Sequence, residues 1–276
     1  MSVSVALIVL GAGLVHAVWN ALAKGFRDPF VSFALINLAT AVICLAAWPV
    51  IGVARAAAWP FLGLSTCCHL GYQFFLMASY RRGDFSQSYP IARGAAPVFV
   101  SLGGLVVAGE HLGVRGVFGV AAIVVGITSL ALYRGAASTR SHVAWALATG
   151  AAIAVYSVVD GLGVRHAHSA SRYAVALFAL QAVIWVVGVA VTRGWSWWPR
   201  GGPVAVGAAA GVLSMAGYLT VLWAQLRAPL GEVSALRETG VLWAAVIGAV
   251  IFKERPLRQV VGPAAIVVVG VALLSG

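Results

Sequence analysis

The stretch Ser86-Gln87-Ser88-Tyr89-Pro90-Ile91-Ala92-Arg93-Gly94-Ala95-Ala96-Pro97, with the apolar run that follows it to Gly109-Glu110, decides the fold. At about 100° per residue, Ser86, Pro90, Arg93, Pro97, Ser101 and Gly104 share one face of a helix. That face collects a charge, two prolines, a hydroxyl and a glycine on an otherwise apolar segment. Pro97 has no N–H to give the carbonyl of Arg93, so a freed acceptor and a guanidinium sit at one level. Hydrocarbon satisfies neither group, so the face is expected to line a protein interior or a watery cavity. Pro90 and Pro97 predict a bent or locally unwound helix, a place where a gate could flex.

The same pattern returns 144 residues later, where Arg93 falls on Arg237, Gly104 on Gly248, Glu110 on Glu254 and Gly126 on Gly270. Just upstream, at an offset of 146, Gly71-Tyr72 meets Gly217-Tyr218 and Arg81 meets Arg227. The offset is about half of the 276 residues, so the chain reads as a duplication, with repeats over 1–135 and 140–276.

Hydrophobic residues make up 62% of the chain and charged residues 9%, against about 25% charged in soluble domains. So much apolar surface needs a bilayer as solvent. The net charge of +11 is spread as single Lys or Arg residues at the ends of apolar runs. That is the placement of membrane anchors, and it excludes nucleic acid as the partner. Cys44, Cys67 and Cys68 lie inside apolar runs without ligand spacing, so neither a disulfide framework nor a metal is expected, and no cofactor.

Ten apolar runs, near 3–23, 30–51, 59–80, 86–108, 115–133, 142–164, 171–192, 203–226, 231–252 and 257–275, are each about long enough to cross ~30 Å of hydrocarbon. The links are too short for a soluble domain, so function must reside among the helices. Five spans per half is odd, and a duplicated half must then enter the membrane from the opposite side. The expected fold is an all-α membrane bundle of two inverted five-helix repeats, with the site where they meet.

Candidate site residues follow from polarity at depth. The first run offers His16, Trp19 and Asn20 on one face, and the repeat places Tyr156 and Ser157 opposite Trp19 and Asn20, with Asp160 one turn on. Tyr72, Tyr89, Trp223 and Trp243 add aromatic surface, and Arg93, Arg237 and Glu238 are the deep charges, with Asp160 and Glu232 nearer helix ends. These are cavity candidates; interhelical hydrogen bonding and core packing are the competing readings. Glu238 can neutralise one arginine, leaving a positive charge for Asp160 or for a substrate anion, whose carboxylate or phosphonate suits the guanidinium fork. His16 is a candidate proton carrier.

Ten helices in two inverted fives, an Arg-bearing fourth helix ending in Gly109-Glu110, and its echo ending in Lys253-Glu254 resemble the drug/metabolite transporter superfamily, EamA branch. The resemblance covers the whole chain. His16-Ala17-Val18-Trp19-Asn20 and Tyr89-Pro90-Ile91-Ala92-Arg93-Gly94 are similar to a subgroup associated with phosphonate utilisation. It implies a secondary transporter of a small polar or amphipathic metabolite, such as an amino acid or another organic anion. It further implies alternating access through a cavity formed by helices 1, 3, 4, 6, 8 and 9. A multi-pass location in the bacterial inner membrane is expected, with substrate and lipid as partners.

A non-transporting receptor or partner subunit is the alternative, and a membrane enzyme a third; no HExxH, paired catalytic aspartates or Ser/His motif supports the last. Orientation stays open. Links after odd-numbered spans hold 11 Lys or Arg against five after even-numbered ones, which favours external termini, whereas the resemblance implies cytoplasmic ones. Oligomeric state, substrate and direction are not legible in the residues.

Overall fold

The computed structural model describes residues 1–24, 26, 28–80, 85–132, 140–194, 201–250 and 258–275, with their side chains apart from those of 24, 29, 76–80, 85–91, 130–132, 140–142, 245, 248, 249 and 258–260. The described residues are helical, with no strand among them. The helices are α1 (Val3–Lys24), α2 (Pro29–Ile51), α3 (Trp59–Tyr80), α4 (Phe85–Ala108), α5 (Val114–Leu132), α6 (Arg140–Ala167) and α7 (Ala170–Arg193). They continue with α8 (Gly202–Gln225), α9 (Leu230–Glu238), α10 (Gly240–Val250) and α11 (Arg258–Ser275), and one 3-10 turn (Ala56–Ala58) precedes α3. Each apolar run falls on a helix, except that the ninth is divided between α9 and α10. Among the described residues, five helices (α1, α2, α6, α7 and α8) are long and apolar enough to cross a membrane, and the described parts of α4, α5 and α11 are shorter apolar segments.

The interruption is not where the prolines predict it. α4 is a single helix through Pro90 and Pro97. Each proline removes one donor but fits helical φ, and Ser101 Oγ donates to the Pro97 carbonyl at 2.7 Å. The break falls instead at Thr239, where no proline exists. Both the N–H (3.2 Å) and the hydroxyl (2.7 Å) of Thr239 are given to the Leu236 carbonyl, which tightens the last turn of α9. Gly240 then restarts the helix pressed against α1, where a Cβ would lie 2.6 Å from the Gly13 carbonyl oxygen.

Helix ends carry their own signals. Asp28 accepts from the Phe30 N–H at 2.9 Å and Pro29 opens α2, while Gly52 at φ 79° ends it. Asp28 also accepts from Arg193 Nη1 at 2.7 Å, joining the start of α2 to the end of α7. Chiefly through that bond, the Asp28 carboxyl titrates below its ordinary range. A depressed folded value means the clasp contributes fully above the unfolded carboxyl pKa of about 3.9 and is lost as pH falls through the lower folded value. Thermal melts between about pH 3 and 6 should show a small acid-side loss of Tm that Asp28→Asn abolishes.

The helices pack in reciprocal fashion. α1 lies on α8 as α6 lies on α3; α2 contacts α8 as α7 contacts α3; α4 contacts α6 as α9 and α10 contact α1. α2 packs on α7, α5 on α11, and α4 on α9. Exchanging α1 to α5 with α6 to α11 in order therefore returns these pairings. Close approach depends on missing side chains: a Cβ on Gly126 would lie 2.9 Å from the Pro263 carbonyl, and one on Gly211 2.8 Å from that of Ile36.

At one end of the bundle Glu110 joins the halves. It accepts from Arg165 Nη2 at 2.5 Å and from the Leu230 N–H at 2.7 Å, so it also satisfies an orphan donor at the start of α9. Arg165 Nε donates to the Gln225 carbonyl at 3.2 Å, closing the end of α8. Glu110→Gln should lower stability by about 1–2 kcal/mol, less than for a buried pair because Arg165 is one-third exposed; the fall in Tm of the detergent-solubilised variant measures it.

Candidate functional site

Two charged clusters lie inside the bundle. The first joins α4 to α9. Glu238 is fully buried and accepts from Arg93 Nη1 at 2.7 Å on one oxygen and from Arg237 Nε at 2.9 Å on the other. Arg237 Nη2 reaches Ser157 Oγ at 3.3 Å. The repeat equivalent of Glu238 is Gly94, so a single acid serves both arginines and the cluster is asymmetric. It retains one positive charge.

Arg93 does not open onto free space: it is 3% exposed, and its other nitrogen, Nη2, meets His16 Nε2. Trp19 Nε1 donates to His16 Nδ1 at 3.1 Å. The imidazole therefore lies between two N–H donors. A neutral imidazole already places its one N–H against one of these donors, and a second proton would add a cation beside the Arg93 guanidinium, which disfavours the proton carrier expected of His16. Asn20 donates to the His16 carbonyl of its own helix at 2.7 Å.

The second cluster surrounds Asp160, which lies two turns from the C-terminal end of α6, toward a helix end as expected, and is fully buried there. Its Oδ1 accepts from the Tyr173 hydroxyl at 2.9 Å, and its Oδ2 contacts the Tyr218 hydroxyl and, at 3.2 Å, His69 Nε2. No arginine or lysine among the described residues is recorded as its partner.

Tyr156 links the clusters. Its ring stacks on His69 at 4.0 Å between centroids and 22° between planes, and the Arg237 guanidinium carbon lies 6.0 Å from its centroid. Beside it is a cavity of about 80 Å³ walled by His16, Trp19, His69, Tyr72, Tyr156 and Tyr218, with the amides of Asn37, Gln73 and Gln181. The wall comes from α1, α2 and α3 and from α6, α7 and α8. The resemblance implied helices 4 and 9 and not 2 and 7; among the described residues, none of α4 or α9 walls this cavity. Residues of α4 and α9 stand behind the wall, because Arg93 and Arg237 are taken up by Glu238. Aromatic faces with a few amides and one titratable ring suit a small amphipathic or polar molecule. A volume of 80 Å³ is below the roughly 300–1,000 Å³ of most ligand sites, so the halves must part to admit more than a very small guest.

Other candidates are dispersed. Trp223 is half-buried beneath Arg227, whose guanidinium carbon is 4.2 Å from its ring, and is not among the residues walling the cavity. Trp243 is 43% exposed on α10 and is not among the described residues walling the cavity. Neither tryptophan is brought to this cavity among the described residues; apolar composition alone does not say which side of a helix is inside. Pro97 is buried, and the side chains of Tyr89 and Pro90 lie outside the described residues. His69 and Tyr173 were not marked for the site by sequence. Tyr218 had a signal, its repeat match with Tyr72, and both tyrosines wall the cavity.

No curated protein matches the chain. A solved crystal structure superposes with a TM-score of 0.81 over 99% of this chain and 96% of the other, at 19% identity, a likeness of fold alone. Residues 140–276 match the EamA-like transporter family. By that half, on a multi-pass helical framework, the chain belongs to the EamA-like transporter family, of the drug/metabolite transporter type.

Proposed function

We propose that the protein is a secondary transporter that carries a small organic anion or amino acid by alternating access between two inverted five-helix repeats, residues 1–135 and 140–276. The observation that carries this reading is the cavity, walled by three helices from each half. The reciprocal packing of α1–α5 and α6–α11 supports the repeats. The Glu110–Arg165–Leu230 junction closes one end of the halves, and opening that end requires it to part. The positive charge left on the Arg93–Glu238–Arg237 cluster favours a carboxylate or phosphonate nearby, and the aromatic wall favours an apolar body attached to it. We place the protein in the bacterial inner membrane, with proton coupling as its driving force and no covalent chemistry.

Purified protein in sealed liposomes should exchange labelled members of a panel of amino acids, phosphonates and sugar phosphates across the membrane. Binding without exchange for every compound would instead favour a receptor. Turnover in detergent would favour an enzyme.

A further inference from the structure

We infer that the His69–Asp160 pair is the site that binds the driving proton, and that the proton travels with an anionic substrate. The inference rests on the transport reading above and names the coupling group within it.

The buried acids of the two clusters differ in what holds them. Glu238 is fixed by two guanidinium groups, permanent cations, and a proton there would break both bonds. Asp160 is held by two phenolic hydroxyls and an imidazole, from α7, α8 and α3. Of these only the His69 imidazole can take up a further proton and become a cation. An isolated carboxylate in a membrane interior is costly, so one proton shared by Asp160 and His69 makes the pair neutral and its loss leaves one negative charge.

The pair also has a route. Asp160 is sealed, but the His69 side chain is 12% exposed and forms part of the cavity wall. A proton arriving from the cavity bonds to the imidazole, giving an imidazolium against the carboxylate; release returns it to cavity water from the same nitrogen. The groups facing the pair are Cys68 and Tyr72 on α3, Tyr156 on α6, Tyr173 on α7 and Tyr218 on α8, with Arg237 of α9 and, behind it, Glu238 and Arg93 of α4 beyond Tyr156. The tyrosines and the cysteine are neutral, and the arginine cluster is charged whatever the pH.

Charge balance then ties proton to substrate. With the pair unprotonated, its negative charge cancels the surplus positive charge of the Arg93–Glu238–Arg237 cluster. With the proton bound, that positive charge is uncompensated, and an anion in the cavity restores neutrality. Proton and anion therefore favour one another's binding, and both leave together.

Two measurements test this. Histidine-labelled wild-type protein in nanodiscs, with the His69 signal identified by its loss in His69→Gln, should show that signal changing on protonation of the ring, and Asp160→Asn should alter that change. In liposomes, anions of the panel should accumulate on the alkaline side of an imposed pH gradient, up to about tenfold per pH unit for one proton. In His69→Gln liposomes that accumulation should be lost, whatever exchange remains at equal pH. A His69 signal that does not titrate overturns the inference. Exchange that ignores the gradient overturns it too and leaves the transport reading standing. No exchange of any panel compound overturns the transport reading and this inference with it.

Discussion

Glu238→Gln is expected to be the most damaging single substitution in the protein. Two arginines that now share one carboxylate, at 2.7 and 2.9 Å, would face each other across a neutral amide in a site sealed from water. Removing one member of a buried ion pair typically costs about 3–5 kcal/mol, because the partner stays charged without compensation. Here one acid serves two cations, so the cost belongs at the upper end. Low yield in membranes and a sharp fall in Tm are expected, with flux lost as a consequence of the fold.

Arg93→Gln should be milder than Glu238→Gln, since Arg237 still pairs with the acid. It nonetheless leaves His16 without its guanidinium contact and the cluster without its surplus positive charge. If Arg93 served only to anchor substrate, Arg93→Gln would melt like the wild type while losing flux. The geometry predicts that Tm and flux fall together. A wild-type Tm for both Glu238→Gln and Arg93→Gln would refute the structural role given to the cluster.

The second large effect is expected at the crossing of α1 with the break between α9 and α10. A Cβ on Gly240 would lie 2.6 Å from the Gly13 carbonyl oxygen and 3.2 Å from its carbonyl carbon. These are backbone atoms of another helix and cannot rotate away. Reciprocally, a Cβ on Gly13 would meet the Gly240 nitrogen and the Arg237 carbonyl oxygen, each at 3.3 Å. Gly240→Ala must push α1 from the site of the Arg237–Glu238 pair, at about 1–3 kcal/mol for overpacking, plus any loss from misplacing those charges. Gly11→Ala is the matched control, since nothing lies within 4 Å of its Cβ. It should be neutral or stabilising by up to about 1 kcal/mol, from helix propensity alone. The difference in Tm between the two alanine variants checks the prediction, and equal melting would show that the two helices do not approach this closely.

Composition and repetition decided the class of protein from sequence alone. A chain with 62% hydrophobic and 9% charged residues has no soluble solution, and links of a few residues leave no place for function outside the helices. The matched Arg93 and Arg237 marked positions that must be paired inside the bundle, because a charge in apolar surroundings needs a partner wherever the helix packs. The sequence could not say which partner. Arg237 has Glu238 as its neighbour in the chain, but Arg93 reaches the same acid across 145 positions, and only the packing of α4 on α9 brings them together.

The same limit explains the other departures. Asp160 has no charged neighbour in sequence, and its three donors come from three other helices, so its depth and bonding depend wholly on how α6 meets α3, α7 and α8. Trp223 and Trp243 lie on uniformly apolar helices, where periodicity carries no signal for the inner face. The helix interruption followed neither proline: a local rule counts lost donors, but the break depends on where two backbones touch. Gly13 against Gly240 is a contact between residues 227 positions apart, and no local pattern records it.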